Sequence, residues 1–365
     1  MDTKQADVLA DQLTATAAQR PTLATEWVSS GCTTLNMALT GKPRYGYHAG
    51  GYYLVVGGSS SGKTMLMLTM LAEVANNPNF DHYQIKYDNV EDGAQMDFVK
   101  FFGQKMAARI EAPRIVDGVG MHSETIDDFY FNFDDAMDAG PCIYLLDSMD
   151  ALMGGKERNK FNERRKAARK GKLAEVKGDY GDGKAKKNSG DLRGVLAKVR
   201  DTRSILVIIC QTRDAIDAGP FEPQETRAGG RALTFYSHTE MWMSKGATLK
   251  KAVRGVDRQI GMMSNIHIKK NRLSGKEWRV KVPFYHTVGV DDVGCCVDYL
   301  IAEKHWPAND KGVITAPELS FKGTREKLIQ VIEEGDKEVF LRKTVAAVWR
   351  QVEADCAVKR KPRYG

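Results

Sequence analysis

Residues 57–64 read GGSSSGKT, which fits the pattern G-x-x-x-x-G-K-[ST]. Residues 52–56 form an apolar, β-prone run before it, and residues 65–72 are mostly good helix formers. Strand, tight glycine loop and helix in this order form the context in which the pattern binds phosphate. Glycines let backbone N–H groups converge on phosphate oxygens, and the helix N-terminus adds partial positive charge. The alternative is a flexible Gly/Ser loop, and the flanking strand and helix argue against it.

The residues of this loop have distinct expected roles around a bound nucleotide. Lys63 would bridge the β and γ phosphates, and the Thr64 hydroxyl would hold Mg²⁺. The remaining contacts to phosphate would come from Gly57, Gly58, Ser59, Ser60, Ser61 and Gly62. Residues 142–148 read CIYLLDS, an apolar strand that ends in Asp147. Downstream of a phosphate loop, that carboxylate is expected beside the Mg²⁺ water shell.

Length and composition bound the class of protein. A chain of 365 residues with 42% hydrophobic content suits one large α/β domain and a small appendage. We expect a soluble intracellular protein, because residues 1–12 lack a signal pattern and no apolar run is long enough to span a membrane. The six cysteines show no C-x-x-C spacing, which favours buried free thiols over disulfides or zinc.

The basic charge is concentrated in one segment. Residues 154–190 contain 13 Lys and Arg against 5 Asp and Glu, a surplus of eight that exceeds the +7 of the whole chain. Such a segment indicates a nucleic-acid contact or, with equal weight, a solvated disordered run. It has too few apolar residues to form its own core, so we expect a mobile insertion in a loop.

The order of elements predicts an α/β fold with a mostly parallel twisted sheet, helices on both faces and an antiparallel edge. The expected divisions are an N-terminal arm at 1–27, a core at 28–305 and a small helical region at 306–365. The arm is a candidate polymerisation element. Strands are expected at 83–88, 205–211, 238–243, 259–269 and 277–285. Helices are expected at 95–104, at 123–139 with Ser123 as cap, and at 191–202, 324–334 and 337–355.

Four further motifs resemble one known family. They are LLDSMDAL at 145–152, IICQTR at 208–213, GGRALTFY at 229–236 and KKNR at 269–272. Their order, together with VSSG at 28–31, resembles the core of RecA/RadA recombinases, including the phage UvsX-type recombinases. The resemblance runs from about residue 28 to 301 and implies a RecA-like P-loop core. The segment GGRALTFY discriminates best, because other P-loop proteins rarely carry it behind a strand that ends in Gln.

The resemblance also implies a set of catalytic residues. Glu91 matches the glutamate that orients water on the γ-phosphate, and Phe98, seven residues later, matches the aromatic residue that stacks on adenine. The strand before Glu91 is one residue longer than the usual D-x-E, which leaves Asp88 as the alternative carboxylate. Gln211 would sense the γ-phosphate. Lys270 and Arg272 would reach ATP on the adjacent subunit, which implies that the active form is a filament.

DNA binding in this family uses two loops, here at about 153–190 and 212–232. A single strand needs cationic contacts to phosphate and a surface for its bases. Candidates in the first loop are Lys156, Arg164, Arg165 and Lys166. Candidates in the second loop are Arg213, Arg227, Arg231 and Phe221. Phe221 is expected either to act as an apolar wedge between bases or to anchor the loop.

The resemblance therefore implies an ATP- and Mg²⁺-dependent DNA recombinase with DNA-dependent ATPase activity. It would form filaments on single-stranded DNA, pair that strand with homologous double-stranded DNA and exchange strands, in bacterial host cytoplasm if phage-encoded. One alternative is a hexameric DNA helicase or other ring motor on the same core. Another is a RecA-like accessory ATPase without strand exchange. The segment at 229–236 favours the recombinase.

Overall fold

A computed structural model describes residues 23–169, 183–214, 225–227 and 230–361. Its α-helices are α1 Thr33–Thr40, α2 Lys63–Ala75, α3 Phe98–Arg109, α4 Ile126–Asp138, α5 Gly155–Arg169, α6 Gly183–Thr202, α7 Arg231–Tyr236, α8 Asp292–Ala302, α9 Arg325–Glu334 and α10 Glu338–Asp355. Its strands are β1 Trp27–Val28, β2 Tyr47–His48, β3 Tyr52–Gly57, β4 Gln84–Asn89, β5 Ile110–Glu111, β6 Arg114–Val116, β7 Val119–Met121, β8 Cys142–Asp147, β9 Ile205–Asp214, β10 Glu225–Arg227, β11 Thr239–Val253, β12 Val256–Asn271, β13 Trp278–Tyr285, β14 Gly289–Val290, β15 Ile314–Ala316 and β16 Phe321–Gly323.

One large sheet forms the centre of the described part of the chain. Its strand order is β14-β13-β12-β11-β3-β9-β8-β4-β5, and β10 pairs with β9. The strands from β11 to β5 run parallel to one another, whereas β12, β13 and β14 continue the sheet as an antiparallel edge. This arrangement confirms the predicted α/β fold with a mostly parallel sheet.

The sheet is covered on both faces, as its apolar strands require. Every residue of β3 is buried, and successive residues face opposite sides, so that Val55 packs in one apolar layer and Leu54 in the other. The first layer contains residues of α1, α2, α8, α9 and α10. The second contains residues of α4, α6 and α7. The two layers explain why β3 reads as a continuous apolar run.

The basic segment contains helices where a mobile loop was predicted, so that prediction is wrong for the described part of 153–190. Helix α5 occupies most of the first part, and α6 begins at Gly183 rather than at residue 191. The acidic start of α4 anchors both helices: Arg158 pairs with Glu124 at 2.7 Å and with Asp128 at 3.4 Å, and Lys187 pairs with Asp127. Ion pairs to a neighbouring helix thus replace the apolar contacts that the segment lacks.

The predicted cap of α4 is also wrong. Thr125 caps this helix, because its hydroxyl accepts a hydrogen bond from the Asp128 backbone N–H and the Asp128 carboxylate accepts one from the Thr125 N–H. Ser123 lies just before the helix and hydrogen-bonds to Asp88 instead. Helix α4 therefore begins three residues later than predicted, at Ile126.

The hairpin of β11 and β12 extends well beyond the predicted strands at 238–243 and 259–269. Its outer part is exposed on both faces, so it lacks the apolar alternation by which strands are recognised in a sequence. Lys251 lies directly opposite Arg258, and like charges in this position destabilise strand pairing. Backbone pairing continues nevertheless to Val253 and Val256 at the tip.

The cysteines agree with the prediction of buried free thiols. All six cysteines are free, and five of them are buried, Cys356 being the exception. Among the described residues, no helix combines the length and the apolar character needed to cross a membrane.

The C-terminal helices α9 and α10 lie where the sequence predicts them and pack into the first apolar layer. Leu328, Ile332 and Val345 are buried there, and the ring of Trp349 lies 4.7 Å from Trp278 and 5.4 Å from Tyr299, measured between ring centroids. Because these side chains share one apolar layer with the sheet, we propose that this region unfolds together with the core.

Trp349→Ala tests this proposal. The change removes a buried aromatic side chain and should lower the free energy of unfolding by about 3–5 kcal/mol, in one cooperative transition monitored by urea unfolding. Phe340→Ala is the matched control on the same helix, because this ring is 36% exposed, and its effect should stay near 0.5 kcal/mol. Two separate transitions in the wild-type protein would contradict the shared unfolding.

Candidate nucleotide site

The predicted phosphate loop joins the end of β3 to the start of α2. A Cβ atom at Gly57 would lie 2.2 Å from the carbonyl oxygen of Met243, so only glycine fits there. Gly62 has a φ of +93°, a backbone conformation that favours glycine. The Ser61 hydroxyl is buried and has no hydrogen-bond partner among the described residues. The loop thus offers a tight backbone turn and a polar group without a partner.

Lys63 lies folded over this loop. Its Nζ donates hydrogen bonds to the carbonyl oxygens of Gly57 and Gly58, at 2.8 and 2.7 Å. Burial lowers the pKa of Lys63, while the nearby carboxylates of Asp147 and Glu91 oppose that shift. The ammonium group is therefore next to the loop backbone, within the site where phosphate charge would be neutralised.

Thr64 and Asp147 meet at the start of α2 and the end of β8. The Thr64 hydroxyl donates to Asp147 Oδ2 at 2.7 Å, and the Tyr87 hydroxyl donates to the same oxygen at 3.3 Å. Burial raises the pKa of Asp147, and the two donors and Lys63 counter that effect. A hydroxyl beside a carboxylate at a phosphate loop is the oxygen ligand set that Mg²⁺ prefers.

Glu91 and Gln211 also lie together. Glu91 Oε1 accepts a hydrogen bond from Gln211 Nε2 at 2.7 Å and another from the Ser148 hydroxyl. The strands explain this contact, because Gly57 on β3 pairs with Gln211 on β9, and the backbone N–H of Glu91 donates to the Asp147 carbonyl at 3.2 Å. The structure thus brings together Lys63, Thr64, Asp147, Glu91 and Gln211.

Asp88 occupies a different environment from Glu91. Its carboxylate is fully buried and accepts hydrogen bonds from the Ser123 N–H at 2.9 Å, the Ser123 hydroxyl at 2.5 Å and the Tyr144 hydroxyl at 2.9 Å. His122 Nδ1 lies 3.4 Å away. Asp88 is therefore bound within the protein, and Glu91 is the exposed carboxylate beside Gln211.

Phe98 is the first residue of α3 and half-buried, with its ring centroid 5.7 Å from that of Phe102. It lines a cavity of 250 Å³ together with Tyr87 and Asn89. Because Tyr87 also donates to Asp147, this cavity adjoins the Thr64–Asp147 pair. The role of Phe98 in stacking on adenine stays a prediction.

Lys270 and Arg272 contact α7 rather than their own phosphate loop. Lys270 Nζ donates to the carbonyl oxygens of Thr234 and Phe235, the latter at 2.9 Å, and an Arg272 guanidinium N–H donates to that of Phe235 at 2.7 Å. Burial and the charge of Arg272 lower the pKa of Lys270 to about 8. In the register of the sheet, Lys270 of β12 lies opposite Glu240 of β11, and Glu240 lies beside Leu54 of β3. Leu54 precedes the end of β3 by three residues, or about 10 Å of strand.

The candidate DNA residues of the second loop differ in accessibility. Arg213 is 59% exposed and lies 3.2 Å from Asp150, and Arg231 is exposed at the start of α7. Arg227 is only 9% exposed; its guanidinium lies 3.2 Å from Glu240 and donates to the Gly230 carbonyl at 3.0 Å. A buried carboxylate therefore neutralises the charge of Arg227 in this structure, and its contact with DNA stays a prediction.

The candidates of the first loop lie on α5. Arg164, Arg165 and Lys166 are exposed there, on a helix that carries no buried residue among those described. Phe221 and the side chain of Lys156 lie outside the described residues.

Three residues of the site were not predicted from the sequence: Tyr87, Ser148 and Asp150. Ser148 and Asp150 follow Asp147 directly in LLDSMD, and a second acid so close to the strand end was a usable signal. Asp150 accepts a hydrogen bond from the Gln211 backbone N–H at 2.7 Å. Tyr87 alternates with polar residues in the strand QIKYDN, where an aromatic residue is usually interpreted as core.

Comparison with known proteins agrees with this geometry. The family model for the RecA N-terminal domain matches residues 167–291. The chain is 26% identical over 231 residues to a plasmid-encoded RecA of Lactococcus lactis subsp. lactis, covering 63% of this chain and 57% of that protein. It is 25% identical over 280 residues to RecA of Gloeobacter violaceus, covering 76% and 65%. It is also 25% identical over 295 residues to RecA of Rippkaea orientalis, covering 79% and 72%.

The chain is therefore similar to RecA proteins, in the part matched by the family model and over the longer ranges aligned with the relatives. The matched region of the family model begins after the phosphate loop and does not include the Thr64–Asp147 pair. The chain spans less than two thirds of the length of the first two relatives, the RecA proteins of Lactococcus and Gloeobacter.

Asp88 and Glu91 should respond differently to substitution. Asp88→Ala leaves three buried donors without their acceptor and should lower the free energy of unfolding by about 3 kcal/mol in urea. Glu91→Gln alters an exposed carboxylate, so stability should change by about 0.5 kcal/mol or less while ATP hydrolysis falls at least ~100-fold. If Asp88→Ala instead abolishes phosphate release at wild-type stability, Asp88 is the catalytic carboxylate.

Proposed function

We propose that this protein is an ATP-dependent recombinase that assembles head to tail on single-stranded DNA and exchanges strands with a homologous duplex. The observation that carries the proposal is that the candidate nucleotide-binding residues and the two candidate trans-acting cations lie toward opposite ends of the central sheet. The phosphate loop, Glu91 and Gln211 lie at one end, and Lys270 and Arg272 lie toward the other.

The residues of the loop fit ATP and Mg²⁺. Gly57 leaves no room for a side chain where the backbone must approach phosphate, and Lys63 supplies a positive charge beside it. Thr64 and Asp147 would hold the cation. When bound, Mg²⁺ neutralises negative charge on the phosphates and aids their orientation. Lys63 would exchange its two carbonyl acceptors for phosphate oxygens, which are better partners for an ammonium group.

Glu91 is the residue we expect to orient the attacking water. It is exposed, close to Gln211, and not bound into a buried network as Asp88 is. Its Oε1 already accepts two hydrogen bonds, from Gln211 and Ser148, so at least one of these contacts must be given up before that oxygen can hold a proton from water. Gln211 would couple occupancy of the nucleotide site to the second loop.

Lys270 and Arg272 complete the site only if copies of the chain stack. Their side chains bind the carbonyl end of α7, which is the end of a helix that attracts cations. Because that surface lies toward the opposite end of the sheet from the phosphate loop, a head-to-tail contact would bring it to the nucleotide of the next copy. Developing negative charge on phosphate would then be stabilised from both subunits.

The DNA-binding surface would include the second loop and α5. Arg213 and Arg231 are exposed at the two ends of the second loop, and α5 contributes Arg164, Arg165 and Lys166. A row of exposed cations suits the phosphate backbone. A closed ring with single-stranded DNA, rather than a helical filament, would instead favour the motor alternative.

Mixing two inactive proteins tests the shared nucleotide site. Lys63→Ala and the double variant Lys270→Ala/Arg272→Ala should each lose DNA-stimulated ATP hydrolysis, because each lacks one source of positive charge at phosphate. In a mixed filament, some junctions join the intact loop of the double variant to the intact cations of the Lys63 variant, so measured hydrolysis should recover in part. A co-polymer that remains inactive would show that Lys270 and Arg272 act within their own subunit or only in folding.

Salt dependence tests the role of α5. Replacing Arg164, Arg165 and Lys166 by Gln should reduce the slope of log affinity against log salt for single-stranded DNA by about 2, since about 0.7 of a counterion is released per phosphate contact. Arg158→Gln is the matched control, because Arg158 on the same helix is already paired with Glu124 and Asp128. Equal slopes for the triple variant and the wild type would mean that this face of α5 is only solvated.

A further inference from the structure

Asp150 joins the candidate nucleotide site to the candidate DNA loop. It follows β8 by three residues, and its side chain is only 8% exposed. Its Oδ2 accepts a hydrogen bond from the backbone N–H of Gln211 at 2.7 Å. The carboxylate therefore fixes the point on β9 from which the Gln211 side chain reaches Glu91.

The second oxygen of Asp150 is held differently. Its Oδ1 lies 3.2 Å from a guanidinium nitrogen of Arg213, but among the described residues no donor makes a hydrogen bond to it. The contact is thus an ion pair without hydrogen-bond geometry, between a buried carboxylate and an exposed arginine. Such a pair is weak, and its cationic member is free to turn toward a stronger anion.

Asp150 contacts both Gln211 and Arg213, which project from the same face of β9 because they are two residues apart. This end of β9 is therefore attached to one carboxylate at two points. On the other side, Gln211 and Ser148 both donate to Oε1 of Glu91. A continuous series of contacts runs from Arg213 through Asp150 and Gln211 to Glu91.

We propose that Asp150 acts as a latch that restrains Glu91 until single-stranded DNA captures Arg213. This inference rests on the proposed function and assigns Asp150 as a positioning residue for it. A DNA phosphate competes with the carboxylate for Arg213 and offers bidentate hydrogen bonds that Asp150 does not make. Once Arg213 leaves, β9 is attached to Asp150 at one point only, so Gln211 can move and Glu91 Oε1 can accept a proton from water. DNA binding would thereby stimulate hydrolysis.

The size of the effect follows from the exposure of Arg213. An ion pair with an exposed member shifts an equilibrium by about two- to fivefold. The same factor should appear in two measurements: the rate of ATP hydrolysis without DNA, and the affinity for single-stranded DNA. Hydrolysis without DNA is held down by the pair, and affinity for DNA is reduced because Asp150 competes for Arg213.

Asp150→Asn separates the charge from the hydrogen bond, because the amide oxygen can still accept from the Gln211 N–H. We expect hydrolysis without DNA to rise about two- to fivefold, with the DNA-stimulated rate unchanged. Affinity for an oligothymidylate single strand, measured by fluorescence anisotropy without nucleotide, should rise by the same factor. Asp81→Asn is the matched control, because Asp81 forms an exposed ion pair with Arg109 at 3.6 Å, away from this site, and both measurements should stay at wild-type values.

Arg213→Gln gives the complementary result. It breaks the same ion pair, so hydrolysis without DNA should rise as in Asp150→Asn, whereas affinity for the single strand should fall because a phosphate contact is lost. The double variant should show no further rise in hydrolysis, since both changes remove one interaction. If Asp150→Asn does not fold, as judged by its thermal unfolding, Arg213→Gln alone still carries the prediction about hydrolysis without DNA.

Some outcomes would overturn the latch. If the wild type is stimulated by DNA and Asp150→Asn keeps the same stimulation ratio and affinity, the ion pair does not restrain the site. If hydrolysis falls in both variants, Asp150 and Arg213 support the active arrangement instead. A wild type that neither binds the single strand nor hydrolyses ATP in its presence would refute the proposed function itself, and the latch with it.

Discussion

Parallel pairing of β3, β9, β8 and β4 is the constraint on which the site depends. In a parallel sheet the carboxyl ends of neighbouring strands meet at one edge, where ligands bind in open α/β proteins. Here Gly57 pairs with Gln211, and Asn89 pairs with Asp147. This pairing brings together residues that are far apart in sequence, such as Gly57 and Gln211. The hydrogen bonds among Thr64, Asp147, Glu91 and Gln211 are a consequence of that register.

Much of this edge could be predicted from the sequence because its signals are local. A glycine loop between an apolar strand and a helix, or an apolar strand that ends in an acid, is contiguous in the chain. The choice between Asp88 and Glu91 is not local. It depends on Ser123 and Tyr144, which surround Asp88 from two other elements. The same contact explains why Ser123 does not cap α4.

The errors of prediction share one cause. Charged and exposed segments lack the periodic spacing of apolar residues by which helices and strands are recognised in a sequence. Helix α5 has no apolar stripe, and the ion pairs that hold it come from α4, earlier in the chain. The outer part of the β11–β12 hairpin is exposed on both faces, so no alternation marks it. Arg227 lies in the predicted second DNA loop, and the sequence does not show that Glu240, thirteen residues later, pairs with it within the fold. The role of a charged side chain therefore depends on its ion-pair partners, which local sequence does not reveal.

The position of Lys63 has a consequence for which anions the loop can take up. Its ammonium group already has two backbone acceptors, so the loop is occupied by one of its own side chains. Binding is then an exchange, and an incoming anion is favoured only by the contacts that it makes in excess of those it displaces. A small monovalent ion would offer the Lys63 ammonium group few acceptors in place of the two carbonyl oxygens. Its binding would therefore gain little free energy. A chain of linked phosphates, such as that of the nucleotide we propose for this site, would offer many oxygens at once, so Lys63 would favour polyphosphates over chloride and single phosphates.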